Sequence, residues 1–305
     1  MGTVDEALAA ERKAFTISLG IGLGLMVIGV IAGLVSHSRV LILDAAYGAI
    51  GVVVTWLSLG AANMVGRGPV RGYPFGRNAL SPLVVLIQGL AMLITTGVAA
   101  IDAVMVILAG GTEVSAGIVA GYAALSAVVS LLFALWLGRS AKRVGSDLLA
   151  AEAASWRTGG IRGVVLAVGA LVAIGLAAMQ FTDVLRYLDP VLVLVAGALV
   201  VVTPVQMLRH SLRELVEAEA PAELTTLVND AATTAANEFG LDERIVRSSK
   251  LGNKLYVEIV YLVDPQRWTV TQQDQLRARL AELIDSEHLH LWMTVEATAD
   301  LSYFD

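Results

Sequence analysis

Residues 80–108 read LSPLVVLIQGLAMLITTGVAAIDAVMVIL, with one charged side chain, Asp102, and an end marked by Gly110 and Gly111. A helix needs roughly 20 consecutive apolar residues to cross the hydrocarbon core of a bilayer. This run is longer than that, so it reads as a membrane span. Five further runs of the same kind surround it: Ala14–Ser36, Val40–Val65, Val114–Leu137, Leu148–Met179 and Val184–Leu208. The fifth in chain order carries Glu152, Arg157 and Arg162, and the sixth is entered through Asp189–Pro190. Six spans place both termini on one side of the membrane.

The composition agrees. The 305-residue chain is 56% hydrophobic and 16% charged, and its mean hydropathy is +0.73. Soluble domains are about 45–50% apolar and about 25% charged. Disorder is excluded, because it needs low hydrophobicity and high charge. A net charge of −6 gives no basic footprint for nucleic acid. With no cysteine, disulfides and thiolate metal sites are excluded. The histidines are His37, His210, His288 and His290 alone. There is no Walker motif, nucleophile elbow or dinucleotide fingerprint, so an enzyme is not expected and no cofactor is implied.

The apolar character stops near Leu208. The chain therefore divides into an N-terminal segment, 1–13, a six-span membrane domain, 14–208, and a polar tail, 209–305. Residues 1–13 lack the basic start and the cleavage site of a signal peptide. Lys and Arg in the connecting segments set the orientation. One side holds Arg12, Lys13, Arg67, Arg71, Arg77, Arg139, Lys142, Arg143, Arg209 and Arg213; the other holds Arg39 and Arg186. The expectation is a multi-pass protein of the plasma (inner) membrane, with both termini cytoplasmic. The basic loop at Arg67, Arg71 and Arg77 suits anionic lipid, or a salt lock to Glu214, Glu217 and Glu219. Trp56, Trp136 and Trp156 are placed in the aromatic belts at span ends.

The tail reads as helix, two strands, helix, strand. Pro221–Phe239 has helical apolar spacing through Leu224, Leu227, Val228, Ala231 and Ala235. Arg244–Ser249 is a strand, and Lys254–Val263 alternates with Leu255, Val257, Ile259 and Tyr261 on one face. Thr271–Ile284 is a second helix, with Thr271 as N-cap and Asp274 completing a capping box. His288–Val295 alternates again. Its two histidines share one face, a weak metal site or, more simply, a solvated edge.

Ionisable residues inside spans mark function by default. Span two carries Asp44, Tyr47, Gly48, Gly51 and Thr55 along one stripe, and span five carries Glu152, Ser155, Gly159 and Arg162. Glycines on such stripes also suit close helix packing. By helical rise, Asp44 and Arg162 fall near the same depth in the outer half and are plausible partners. Glu152 falls toward the cytoplasm, where it meets Arg157 or water.

The ordered set of motifs resembles the cation diffusion facilitator family, over nearly the whole chain. Gly72-Tyr73-Pro74-Phe75-Gly76-Arg77 is similar to that family's loop between spans two and three. Asp44-Ala45-Ala46-Tyr47-Gly48, Pro82–Gly89 and Leu149–Arg157 resemble its second, third and fifth spans. Asp189–Pro190 and Arg213-Glu214-Leu215 fit its sixth span and the entry to its tail. The resemblance implies an α-helical membrane protein with six spans and a ferredoxin-like αββαβ cytoplasmic domain. It also implies a homodimeric antiporter that exports a divalent cation in exchange for protons. Its metal would sit on an i, i+4 pair from span two and another from span five.

Those positions fall here on Tyr47, Gly51, Ser155 and Gly159. Glycine cannot ligate, and neutral Tyr and Ser are poor zinc ligands. Arg77 occupies a loop position often used for a second metal. Three readings follow. One is a cation exporter with a site rebuilt from Asp44, Glu152 and Tyr47. Another is a carrier of a different solute, with Arg162 adding positive charge to the path. The last is a non-transporting partner or regulatory subunit, whose mark would be a collapsed, dry space between spans two and five.

Overall fold

The computed structural model describes residues 2–35, 39–111, 116–179, 182–241, 244–284 and 289–304. The chain forms two compact units, Met1–Ser211 and Leu212–Asp305. The first is built from α1 (Gly2–Val35), α2 (Arg39–Val65), α3 (Leu80–Leu108), α4 (Ala116–Val144), α5 (Asp147–Ala178) and α6 (Thr182–Val200). It ends in α7 (Val202–Leu215), which runs on into the second unit. Six helical segments are long and apolar enough to cross a membrane, the last running from Leu185 to Leu215 through both α6 and α7.

Two boundaries differ from the sequence reading. The acidic N-terminal stretch is continuous with the first span in α1. The sixth span starts at Thr182, close to the expected Val184, with Pro190 inside α6, but a break at Val201 separates α6 from α7. Pro204 explains the break. It has no N–H for the carbonyl of Val200, and its ring crowds that carbonyl. The next helical bond, from Val205 N–H to the Val201 carbonyl, is stretched to 3.4 Å.

Helix α3 shows how the bundle is sided. Leu83, Ile87, Leu90, Ile94, Ile101 and Leu108 are exposed, while Ser81, Val84, Val85 and Gln88 are buried. A large exposed apolar stripe on one face is a lipid-facing surface in a spanning helix. Helices α4 and α5 pack closely through glycine. A Cβ on Gly163 would lie 2.9 Å from Ala127 Cβ, and one on Gly160 would lie 2.6 Å from Leu131 Cγ. The apolar core gathers at the end holding the α2–α3 and α4–α5 connections, around Phe15, Ala62, Val85, Leu137 and Leu149. Glu152 lies one turn beyond Leu149.

The second unit has the expected αββαβ order: α8 (Ala222–Phe239), β1 (Arg244–Leu251), β2 (Lys254–Leu262), α9 (Val270–Leu283) and β3 (His290–Thr298). Strand β2 is central, antiparallel to β1 and parallel to β3. Leu255, Val257, Ile259 and Tyr261 are buried, as alternation predicts, against Val228, Ala231 and Ala235 of α8 and Leu276 and Leu280 of α9. The capping box sits two residues earlier than expected. Thr269 is the N-cap, accepting from Gln272 N–H, and the Gln272 side chain accepts from Thr269 N–H. Glutamine reaches back to the N-cap amide, which the shorter Asp274 is too far along the helix to do. At the end of α7, Glu214 accepts from Lys250 Nζ at 2.8 Å and from Gly252 N–H at 3.0 Å, tying the helix to the β1–β2 turn. His290 is exposed and in register with Lys254 on β2, a cation beside it; His288 lies outside the described residues.

Tyr261 gives the tail an alkaline limit. It is fully buried, its hydroxyl donates to the Ala232 carbonyl at 3.0 Å, and burial pushes the phenol up to about 12. An unfolded tyrosine titrates near 10. Between those values the folded state keeps a proton that the unfolded state has lost, so stability falls as pH rises. The loss is on the order of 2–3 kcal/mol across that window. Thermal melts of the intact protein between pH 9 and about 12 check this: Tyr261→Phe flattens this slope.

Candidate functional site

The carboxylate of Glu152 is a buried polar group that accepts from four side chains. The residue is 2% exposed. Four helices bring donors to it. Ser18 of α1 donates to Oε1 at 2.6 Å, and Thr55 of α2 donates to Oε1 at 2.8 Å. Gln88 of α3 donates from Nε2 to Oε2 at 3.2 Å. Trp156 of α5 donates from Nε1 to Oε1 at 3.1 Å and to Ser18 Oγ at 2.8 Å. Burying an ionised carboxylate is costly unless its lone pairs are filled. Here they are filled by neutral donors.

Two hydroxyls have a choice of partner. Thr55 Oγ1 lies 2.8 Å from Glu152 Oε1 and 3.0 Å from the Gly51 carbonyl, with one proton for the two. Ser155 Oγ accepts from Gln88 Nε2 at 2.8 Å and donates to Met92 Sδ at 3.1 Å. Gln88 is 3% exposed, and its Oε1 is buried without a hydrogen-bond partner among the described residues.

These groups open onto a cavity of about 260 Å³ between the helices. Gly51, Glu152, Ser155, Gly159 and Arg162 all line it. Asp44 and Tyr47 lie on α2, but their side chains are outside the described residues, and the expected Asp44–Arg162 pair lies there with them. Their neighbours Ala45 and Gly48 line the cavity. An added Cβ on Gly51 or Gly159 meets nothing within 4 Å. These two glycines therefore make space, while Gly160 and Gly163 do the close packing. The space between spans two and five is open.

The expectation for Glu152 is corrected. Its partners are Ser18, Thr55, Gln88 and Trp156, and not Arg157. Five residues turn a helix by about 140°, beyond a full revolution, so Arg157 points to the other side of α5 and is exposed. Trp156 is corrected as well. Four residues on from Glu152, it shares that face, lies inside the bundle and meets Phe133 edge-on at 4.9 Å. Sequence reasoning missed Ser18, Gln88 and Met92 as site residues. Gln88 carried a readable signal, a lone amide inside an apolar span. Ser18 carried none.

The donor set is oxygen-rich. Among the described lining residues the charged groups are Glu152 and Arg162, and none is a histidine. Arg162 follows Glu152 by ten residues, about 15 Å along the helix. The model of the cation efflux transmembrane domain matches residues 15–216, from within α1 to just past the end of α7. The chain belongs to the cation efflux family. This is the family the motifs resemble, that of the cation diffusion facilitators. The six membrane-capable helices make this cation efflux protein multi-pass. A relative, metal tolerance protein C1 of Arabidopsis thaliana, is 25% identical over 269 residues, covering 83% of this chain. The chain spans 55% of that relative's length, little more than half.

Proposed function

We propose that this cation efflux protein carries cations across the membrane through the cavity, exchanging them for protons at Glu152. The observation that carries the reading is one buried carboxylate, held by four helices, beside open volume. A group that binds either a proton or a cation, and is reached from a cavity, is what exchange requires. The open volume also speaks against a non-transporting subunit. Asp44 and Tyr47 remain part of the proposed path, with Gly51, Ser155, Gly159 and Arg162.

The hydrogen bonds supply a coupling step. When Glu152 is a free anion, Thr55 donates to it and joins α2 to α5. When Glu152 carries a proton or a cation, Thr55 turns its proton to the Gly51 carbonyl, and that link is lost. Occupancy thereby biases how α2 and α5 sit, the element that alternating access needs. The working assembly is a homodimer in the plasma (inner) membrane, with both termini cytoplasmic and no cofactor.

Proteoliposomes with a trapped pH indicator test the reading. Cation pulses across a panel of mono- and divalent ions should move protons in protein-containing vesicles and not in empty ones. No proton movement with any cation would refute it.

A further inference from the structure

We infer that the loop between α2 and α3, with Arg12 of α1 beside it, binds the phosphate of an anionic lipid. The loop carries Arg67, Arg71 and Arg77, and residues 66–79 hold no acid, in a chain whose net charge is −6. Among the described residues these three make no ion pair, and their guanidinium groups have no hydrogen-bond acceptor. Arg12 joins them. A Cβ added to Gly66 would lie 3.2 Å from Arg12 Nη2, so the bare backbone there lets this guanidinium reach the start of the loop. The neighbouring Glu11 turns its buried carboxylate to Ser146 Oγ instead. The Nε atoms of Arg12 and Arg77 are both buried without a hydrogen-bond partner among the described residues. A shielded cation that meets no acceptor in its own chain is costly. An anion from outside supplies what is missing.

The loop has a defined shape. Val70 and Tyr73 exchange backbone hydrogen bonds at 3.2 and 2.8 Å around Gly72, whose φ of 89° favours glycine. Gly76 N–H donates to the Tyr73 carbonyl at 3.1 Å, and Asn78 Nδ2 donates to the Phe75 carbonyl at 3.3 Å. This lays the Arg77 guanidinium over the Tyr73 ring, 4.4 Å from its centroid. Stacking fixes the plane of a guanidinium and leaves its terminal N–H groups for a phosphate.

The aromatic tip favours lipid over a phosphate in solution. Tyr73 and Phe75 flank Pro74 and are 52% and 57% exposed, on a loop that joins two membrane-capable helices. Aromatic side chains at that level belong in the headgroup layer, and arginines beside them are drawn to an anionic leaflet. The acidic stretch at the end of α7 is the other anion the sequence offers. Its Glu214 is already held by Lys250 Nζ and Gly252 N–H.

Native mass spectrometry of the full-length protein in detergent, titrated with phosphatidylglycerol or phosphatidylcholine, tests this by counting bound lipid. Wild type should bind phosphatidylglycerol about tenfold or more tighter than phosphatidylcholine. Arg71→Gln/Arg77→Gln should lose about tenfold of that preference, near fivefold for each cation removed. Arg139→Gln/Lys142→Gln removes as much charge from exposed positions on α4 at the same end of the bundle, and should leave the preference unchanged. Inorganic phosphate at the lipid's concentration should not displace it. The wild-type titrations and the phosphate competition decide the matter even if a variant fails to fold. Equal binding of the two lipids, or an equal loss in both double variants, would overturn the site. Displacement by inorganic phosphate would overturn the assignment to lipid.

Discussion

Glu152→Gln abolishes cation-driven proton movement while the protein still folds. The variant keeps an oxygen for Ser18, Thr55 and Trp156, whose bonds to Oε1 run from 2.6 to 3.1 Å. It sets its new amide against Gln88 Nε2, donor facing donor, a penalty of about 1–3 kcal/mol. Marginal stability of about 5–15 kcal/mol absorbs that. What it cannot keep is a group that trades a proton for a cation. Glu152→Leu is the contrasting variant. It leaves the buried Ser18 hydroxyl and one N–H of Gln88 without their best acceptor, at about 1–3 kcal/mol each, while Thr55 falls back on the Gly51 carbonyl, and it should melt well below Glu152→Gln. Vesicle flux and detergent melting curves, measured on both variants, check the two halves of this expectation. Glu152→Gln with wild-type flux would remove Glu152 from the mechanism.

Gly51→Asp/Gly159→Asp creates a zinc site in the cavity, whose described lining in the parent holds one carboxylate and no histidine. Both glycines line the cavity, and a Cβ on either meets nothing within 4 Å. The carboxylates enter open space without displacing a neighbour. Together with Ser155 they supply charge that the parent lacks, in a form zinc accepts. Without metal, two added carboxylates in a cavity repel each other and destabilise the bundle. Zinc reverses this. Binding in the micromolar range, about −8 kcal/mol, is the expected result. At a hundredfold excess over Kd it raises stability by about 2.7 kcal/mol, visible as a zinc-dependent melting temperature. An equal zinc response in the parent would mean that the added carboxylates are not what binds zinc. No response in the double variant would mean that the two helices do not bring residues 51 and 159 to one ion.

Most of the fold was legible because it is local. Apolar run length set the spans, and period-two alternation placed Leu255, Val257, Ile259 and Tyr261 inward on β2. The break at Val201 was less legible. Pro204 stands in the sequence, but whether a proline bends or interrupts a helix depends on what packs around the freed carbonyl of Val200. The capping box slipped by two residues because Thr269 and Thr271 are chemically alike, and the reach of Gln272 decides between them. For the site, the stripes on spans two and five found Gly51, Glu152, Ser155, Gly159 and Arg162, which the structure places on one cavity. That Glu152 pairs with residues of three other helices was not legible. Ser18, Thr55 and Gln88 stand 134, 97 and 64 residues away in sequence. Helical rise placed Glu152 by depth, but depth says nothing of which neighbours share it.

The central claim is that a cation binds at the Glu152 carboxylate. Infrared difference spectra of the membrane-reconstituted protein, recorded on exchanging each cation of the transport panel for a large inert cation, read that carboxylate directly. The account predicts a shift in a carboxylate stretching band in wild type that vanishes in Glu152→Gln. An unchanged carboxylate band in wild type, or the same shift persisting in Glu152→Gln, would contradict it.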